Sequence, residues 1–151
     1  MQAGFELRPY TKDDINFICS SWGTSYYKGS QSHKFISPEE FHFFHRPLRD
    51  RFFLRPSATV VICSNTEDPT HILGWIALEK DWTTEHIQRT ILHYIYVKDA
   101  LRAKGIATEL LTKTIPQNSH VIYTHKTSQA SALLKIKPQL FLNYNYQPHL
   151  T

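Results

Sequence analysis

The chain has 151 residues, a length that fits one domain, and it carries a net charge of +4 with a pI near 9.1. Hydrophobic residues make up 41% and charged residues 20%, which excludes a disordered chain. The longest uncharged apolar run, ATVVIC at 58–63, is too short to span a membrane. The mild positive charge suits an anionic ligand, but alone it does not indicate nucleic-acid binding.

The N-terminal sequence and the cysteines predict a cytoplasmic protein. MQAGFELRPY contains no apolar signal core, so export is not expected. Cys19 and Cys63 each lie in an apolar setting, and neither belongs to a CxxC pair. We therefore expect both thiols to be reduced core residues.

The first third of the chain predicts one strand and two helices. FELRPY at 5–10 is typical of a short strand, and Thr11 is typical of a helix N-cap before DDINFICSSW. The sequence GTSYYKGSQSHKF at 23–35 predicts a loop because it is rich in Gly, Ser and Tyr. Ser37 predicts the cap of a second helix, which is expected to bend or break near Pro47.

The rest of the chain predicts mainly strands. They are expected at 58–65, 72–81, 89–97 and 120–126, with a helix after the third of them and a broken helical segment before the closing LNYNYQPHL. The order β-α-α-β-β-β-α-β-α predicts an α/β fold, with helices on the faces of a mixed sheet, in a single domain that spans 1–151.

The stretch LHYIYVKDALRAKGIATELL at 92–111 carries the most specific motif. It passes from an apolar strand through Arg102 and Gly105 into an amphipathic helix, with the small Ala107 in its first turn. Backbone N–H groups at a helix start attract phosphate, and Gly105 allows close approach of a ligand to the backbone. Arg102 adds a cation with bidentate reach. The pattern predicts a pyrophosphate cradle; the alternative is a tight turn with a solvated arginine.

On these residues the chain resembles the GCN5-related N-acetyltransferase (GNAT) superfamily. FELRPYTKDD is similar to the family's first strand and helix, and VVICSN with ILGWIALE is similar to its second and third strands. Arg102-x-x-Gly105-x-Ala107 is similar to the signature motif that follows the fourth strand. The resemblance implies a mostly antiparallel central sheet with an abbreviated C-terminal part. SSWGTSYYKG, with a short tail, also resembles small phage- and prophage-encoded GNAT-like proteins.

The resemblance implies an acyltransferase that uses acetyl-CoA or another acyl-CoA. Arg102 would flank the pyrophosphate, and the backbone of the fourth strand would pair with the pantetheine arm as an added strand would. The implied pyrophosphate-binding amides are those of Lys104, Gly105, Ile106, Ala107 and Thr108, and the implied pantetheine-binding residues are Ile95, Tyr96 and Val97.

Amine attack on a thioester needs a base, and the family often has a Glu four residues before the terminal Val of the fourth strand. His93 holds that position, and a histidine suits proton transfer near neutral pH. It is alternatively a solvent-facing or hydrogen-bonded core residue. Glu79 could reach the same cleft or be an exposed strand-end carboxylate. Phe141 stands where the family's general-acid Tyr belongs, so Tyr144 or Tyr146 would replace it or else pack the tail.

The acceptor site is expected in the loop after the first helix. Aromatic residues there can stack on a planar acceptor or an amine stem, although they can also plug the core beneath the loop. These candidates are Trp22, Tyr26, Tyr27 and His33. The basic stretch HRPLRDRFFLR is either a phosphate contact for a nucleic acid or a solvated helix face.

Two classes of function stay open on the sequence. The first is an enzyme that transfers an acetyl group to an unidentified amine, and a phage-type DNA-base modification enzyme is a variant of it. The second is a non-catalytic binding module on the same fold. His42 and His45 share a helix face without a third ligand, so no metal is expected. The expected partners are a CoA thioester, an amine acceptor and possible nucleic acid, with no membrane, in a monomer or homodimer.

Overall fold

A computed structural model of the chain describes residues 4–30, 35–84, 87–101, 105–116, 119–127, 130–131, 135 and 144–148. Six strands and three α-helices lie within these residues, with short 3-10 turns at Lys12–Asp14 and Asp99–Leu101. In chain order the elements are β1 (Phe5–Pro9), α1 (Ile15–Gly29), α2 (Pro38–Leu54), β2 (Ala58–Asn65), β3 (Ile72–Thr84), β4 (Ile87–Val97), α3 (Ile106–Thr114), β5 (His120–Tyr123) and β6 (Tyr144–Tyr146). The predicted α/β fold with a mixed sheet is confirmed.

The six strands form one sheet in the order β1-β2-β3-β4-β5-β6. The first four are antiparallel neighbours, whereas β5 runs parallel to β4 and β6 runs parallel to β5. The β4–β5 register begins at Arg89 opposite His120 and ends at Leu92 opposite Tyr123. One further bond runs from the backbone N–H of Thr124 to the carbonyl of Leu92, at 3.1 Å. The sheet register therefore places Thr124 next to the strand residue that follows Leu92.

The two faces of the sheet bury separate apolar clusters. Trp75 and Ala77 of β3 pack in the cluster around α1 and α2, whereas Ile76 and Leu78 pack in the cluster around α3. This alternation is the two-residue period of a strand that is covered on both faces. None of the helices in the described ranges is both long and apolar enough to cross a bilayer.

Helix α1 continues into the segment 23–35 that the sequence predicts as a loop. It ends at Gly29, and the N–H of Ser30 still donates to the carbonyl of Tyr26, at 2.9 Å. Gly23 lies in the middle of α1, where the side chain of Arg49 packs directly against it. A Cβ at this position would lie 1.8 Å from Nη1 of Arg49. The same Nη1 donates to the carbonyl of Cys19, at 3.0 Å. The glycine therefore serves close packing of α2 against α1 rather than a turn.

Helix α2 begins where the sequence predicts, but it does not break at Pro47. The Ser37 hydroxyl accepts a hydrogen bond from the N–H of Glu40, at 3.2 Å, and the helix then runs to Leu54 with Pro47 inside it. Pro47 is exposed, and the opposite side of the helix packs on the protein. The buried residues recur at helical spacing and hold the helix together across the proline: Phe41, His45, Arg49 and Phe52.

The strands β3 and β4 are longer than predicted, and a sixth strand follows. β3 extends to Thr84, so Glu79 lies within the strand rather than at its end. Residues Tyr144–Tyr146, predicted as part of an irregular tail, form β6 beside β5. The longer β3 carries Glu79 into the protein interior.

Gly74 allows the end of β4 and the start of α3 to meet β3. A Cβ at this position would lie 2.6 Å from the carbonyl oxygen of Tyr96 and 3.2 Å from Cγ2 of Ile106. Because the nearer neighbour is backbone, we expect Gly74→Ala to lower the free energy of unfolding by about 2 kcal/mol. Urea unfolding of both proteins measures the difference, and a change below about 0.5 kcal/mol would show that the contact relaxes without cost.

Candidate active site

A cavity opens where β4 and β5 part. It has a volume of about 150 Å³ and a mainly apolar lining with a few polar groups, the usual character of a small-molecule site. Its walls come from β4, the end of β5, the residues after β5, helix α3 and the start of β6. The lining residues are Leu92, His93, Tyr94, Ile95, Leu111, Tyr123, His125, Lys126, Thr127, Ala130, Ser131 and Tyr144.

A buried hydrogen bond between an imidazole and a carboxylate lies beside this cavity. Nε2 of His93 is 2.6 Å from Oε2 of Glu79, and the two residues are only 2% and 4% exposed. Glu79 also accepts from Arg55 Nη1 at 2.9 Å and from the Ser57 hydroxyl at 2.6 Å. Burial alone would raise the pKa of Glu79, but hydrogen bonds from His93, Ser57 and Arg55 lower that pKa to about 2. The carboxylate is therefore ionised at neutral pH.

A chain of hydrogen bonds continues from the other side of the His93 ring. Nδ1 of His93 is 3.0 Å from the hydroxyl oxygen of Thr124, which is 2.8 Å from Nδ1 of His125. Nε2 of His125 is in turn 3.1 Å from Nε2 of His45 on α2. Polar side chains thus connect the carboxylate of β3 with helix α2 through the edge of the cavity.

The ionised Glu79 fixes the direction of these hydrogen bonds. A carboxylate only accepts, so Nε2 of His93 donates to it; when the His93 ring carries that one proton, its Nδ1 accepts from the Thr124 hydroxyl. The Thr124 oxygen then accepts from Nδ1–H of His125, whose Nε2 accepts from Nε2–H of His45. Nδ1 of His45, which has no hydrogen-bond partner among the described residues, is left with a lone pair rather than a proton.

The two outer histidines are held in the neutral form. Burial is the largest cause that lowers the pKa of His45, to about 3, and the positive charge of Arg49 and the neighbouring His42 lower it further. Burial likewise lowers the pKa of His125 well below its usual value, with His45 and His93 as further causes. Neutral rings are what the hydrogen-bond directions require, because each ring then donates once and accepts at most once.

Helix α3 starts beside the end of β4 with a glycine in the left-handed region. Gly105 has φ 84° and ψ 6°, and the N–H of Glu109 makes a bond to the Gly105 carbonyl, at 2.9 Å. The amides of Ile106 and Ala107 precede that bond and have no acceptor within the helix. A side chain other than glycine at this φ would be strained. The start of α3 therefore presents two backbone N–H groups that have no acceptor within the helix; Arg102 and Lys104 lie outside the described residues.

The sequence model of the Acetyltransferase (GNAT) family matches residues 19–122, which is more than half of the chain. The chain belongs to the GNAT acetyltransferase family. No curated protein sequence matches the GNAT chain.

Solved structures similar to this GNAT chain show the same fold at low sequence identity. A GCN5-related N-acetyltransferase from Ralstonia eutropha JMP134 has a TM-score of 0.66 and 17% identity over 88% of this chain and 90% of that chain. A candidate acetyl transferase from Pyrococcus furiosus has a TM-score of 0.68 and 16% identity over 89% and 91%. The candidate acetyltransferase YycN from Bacillus subtilis has a TM-score of 0.68 and 14% identity over 90% of each chain.

GNAT proteins use acetyl-CoA or another acyl-CoA as cosubstrate, and two features of this chain fit such a molecule. Gly105, in the left-handed region, precedes a helix start whose first N–H groups have no helical acceptor, and such groups attract phosphate. The cavity lies along the edge of β4 beyond Leu92, where the described residues of β5 no longer pair with it. Ile95 lines that cavity, while Tyr96 and Val97 pair with Trp75 and Gly74 on the other edge of β4.

Both predicted catalytic residues line the cavity. His93 has both ring nitrogens engaged, so it corresponds to the hydrogen-bonded alternative rather than to a solvent-facing one. Tyr144 begins β6, and burial raises the pKa of its phenol to about 12. A phenol of that pKa carries its proton at neutral pH and can donate it. Tyr146 lies outside the lining, with its ring 5.3 Å from that of Tyr123.

The predicted acceptor residues lie on helix α1 rather than on a loop, and they differ in burial. Trp22 is 1% exposed in the core and stacks on Tyr94 at 5.7 Å, so it does not line the cavity. Tyr26 has its ring 4.6 Å from that of His125, next to the cavity. The hydroxyl of Tyr27 donates to the carbonyl of Ile36, at 2.8 Å. His33 lies outside the described residues.

The sequence left the role of Glu79 open, and it did not indicate the other residues that bond around His93. Glu79 is buried because β3 continues past it, and Thr124, His125 and His45 join His93 only in three dimensions. A parallel pairing of β4 with β5 could have indicated one of these contacts. Tyr123 is opposite Leu92 in that pairing, so Thr124 comes next to His93. Among the described residues, no group of three His, Cys, Asp or Glu side chains could hold a metal ion.

Proposed function

We propose that the chain is an N-acyltransferase that transfers an acetyl group, or another acyl group, from its CoA thioester to an amine. The observation that carries the proposal is the Glu79–His93 pair at the cavity between the parting strands β4 and β5. A base held by a carboxylate at the edge of an apolar cleft is the arrangement that proton removal from an attacking amine requires.

The chain's own groups would hold the cosubstrate at two places. Gly105, Ile106, Ala107 and Thr108 would present backbone to the pyrophosphate, with Arg102 and Lys104 beside them. Ile95, Tyr96 and Val97 would border the pantetheine arm along β4. When bound, acyl-CoA supplies an activated acyl group to the amine.

The residues around His93 define a proton route. Thr124 does not itself line the cavity, but it bonds to His93 and His125, which do. We therefore assign the amine proton a path between these two rings to the Thr124 hydroxyl, toward which the lone pair of His93 Nδ1 points. Thr124 gives its proton to Nδ1 and takes one from the amine, and the resulting imidazolium is stabilised by the charge of Glu79. Tyr144 would return a proton to the leaving sulfur.

The acceptor is an amine of unspecified class, and Tyr26, with its ring 4.6 Å from that of the cavity residue His125, offers it an aromatic surface. An amine stem or a planar base could stack there. DNA-base modification, a phage origin and a cytoplasmic location stay predictions from the sequence.

Calorimetry with acetyl-CoA tests the cosubstrate site directly. Gly105→Trp is expected to weaken binding by more than tenfold, about 1.4 kcal/mol or more, because the side chain fills the approach to the start of α3. Gly4→Trp is the matched control: Gly4 also has positive φ, at 96°, and a Cβ there meets nothing within 4 Å. The control carries comparable backbone strain and should bind as the wild type does.

Absence of acetyl-CoA binding in the folded wild type would contradict the proposal and favour a non-catalytic binding module. Equal losses in the Gly105 and Gly4 variants would show that backbone strain, and not the cradle, governs binding. Thermal unfolding of all three proteins confirms that each is folded when it is titrated.

A further inference from the structure

The solvent side of α2 exposes a concentration of large apolar side chains. Phe43 is 73% exposed, Phe44 is 70% exposed and Leu54 is 82% exposed, and Phe35, three residues before the helix, is 80% exposed. Single exposed apolar residues are ordinary, but several on one helix mark a contact surface. The rings of Phe43 and Phe44 pack on each other at 5.4 Å and leave their outer faces uncovered by other described residues.

One stripe of this surface is arranged symmetrically. Glu40, Phe44, Pro47 and Arg51 are all exposed and recur at i, i+4, i+7 and i+11, so they lie along one side of α2. The stripe has an acid at one end, a base at the other and two apolar residues between them. The midpoint of the stripe in sequence falls between positions 45 and 46. Phe35 and Leu54, also exposed, lie at nearly equal distances on either side of it.

We propose that this stripe, Glu40-Phe44-Pro47-Arg51, is the contact surface for a second copy of the chain. An antiparallel pairing of two α2 helices about a two-fold axis brings Phe44 of each copy against Pro47 of the other. The same axis places Glu40 of each copy next to Arg51 of the other. Two-fold interfaces need such self-complementary surfaces, in which residue i meets residue j and residue j meets residue i.

The charge distribution favours a second copy over a nucleic acid. Glu39, Glu40 and Asp50 are exposed on the same helix as Arg46 and Arg51, so acids alternate with bases along the surface. A phosphate backbone would meet repulsion from these acids, whereas an antiparallel copy meets opposite charges at both ends. Burial of the exposed apolar centre of the stripe would stabilise the pairing, which surface ion pairs alone do only weakly.

Sedimentation of the full chain between about 1 and 200 µM tests the pairing, because dimerisation depends on concentration. The wild type is expected to form dimers in this range. Phe44→Glu, Glu40→Arg and Arg51→Glu should each weaken association at least tenfold, and the double variant Glu40→Arg/Arg51→Glu should recover it. Glu67→Arg, an equal charge change in the exposed β2–β3 turn, is the control and should associate as the wild type does.

Each outcome decides the proposal. Recovery in the double variant supports the antiparallel register, because only that register exchanges the two charges between copies. A wild type that stays monomeric throughout the range overturns the proposal, as does a dimer that none of the stripe variants weakens. Binding of a short duplex DNA that is lost in Arg51→Glu, with no dimer present, would assign the surface to nucleic acid instead. Circular dichroism checks that these exposed substitutions leave the fold intact.

Discussion

Glu79→Gln is expected to lower kcat by about 100-fold or more, the usual scale of an acid–base contribution. The amide keeps the shape of the side chain and can still accept from Nε2–H of His93. It loses the negative charge that stabilises an imidazolium at His93, and it weakens the contact with Arg55. Binding of acetyl-CoA should change little because Glu79 does not line the cavity.

The assay follows thiol release from acetyl-CoA with an amine that supports turnover in a panel of primary amines. Asp14→Asn is the matched control, because Asp14 is also buried and bonded to an arginine, Arg8, at 2.8 Å. It should lose stability comparable with the Glu79 variant and keep the wild-type kcat. Unchanged kcat in Glu79→Gln, or equal losses in both variants, would contradict a catalytic contribution of the Glu79–His93 pair.

The same assay also tests the proposed proton route through Thr124. Thr124→Val removes the hydroxyl at nearly constant volume and should lower kcat at least tenfold, whereas Thr124→Ser retains the hydroxyl and should keep most of the activity. A purely structural hydroxyl would affect unfolding but not distinguish kcat between the two variants. Rescue by serine therefore separates proton transfer from packing.

Periodicity and capping residues predict the architecture, but they do not determine where each element ends. Ser37 begins α2 as expected, and the alternation in β3 matches burial on both faces. Gly23 and Pro47 both read locally as interruptions, and tertiary packing overrides each of them. Arg49 needs the space above Gly23, and the buried side of α2 holds the helix across Pro47.

Of the hydrogen-bonded residues at the candidate site, the sequence predicts only the one whose position along a strand places it there. His93 follows from its place in β4 and from the family resemblance, since a strand has a fixed period. The hydrogen-bond partners of its ring, Glu79 and Thr124, come from β3 and from the residues after β5. His45 and His125, which extend this chain of hydrogen bonds, are 80 residues apart in sequence. No local pattern encodes such a contact. The sequence predicts Glu79 near a strand end because the continuation of β3 to Thr84 contains polar residues that are typical of a turn.

Unfolding near pH 5.5 is expected to take up about two protons, so the free energy of unfolding should fall by about 2.7 kcal/mol per unit decrease in pH. His45 and His125 are buried and neutral in the folded protein, whereas an unfolded histidine has a pKa near ~6.5. Below that pH the unfolded chain binds protons that the folded chain excludes. Stability is therefore complete above about pH 6.5 and is lost progressively down to about pH 3, the pKa of folded His45.

The groups around His45 and His125 explain why the free energy of unfolding falls as the pH is lowered. Arg49 and His42 on α2 disfavour a charge on His45, Tyr26 on α1 offers it an aromatic ring at 5.1 Å, and His93 on β4 disfavours a charge on His125. No described acid is among these pKa causes; a hydrogen bond with the His93 backbone raises the pKa of His125, but burial outweighs it. The low pKa of Glu79, about 2, acts in the same direction but only below the ordinary glutamate pKa of about 4.3. Measurements between pH 5 and 6.5 therefore isolate the histidines.

Urea unfolding at several pH values in this window measures the slope, and His45→Phe should reduce it by about 1.4 kcal/mol per pH unit because one proton-binding site of the unfolded chain is removed. His120→Phe, at an exposed position at the start of β5, is the matched control and should keep the wild-type slope. A wild-type slope near zero would mean that the buried rings bind protons as readily as the unfolded chain does. That result would also remove the hydrogen-bond direction on which the proton route through Thr124 depends, since a protonated His125 could no longer accept from His45.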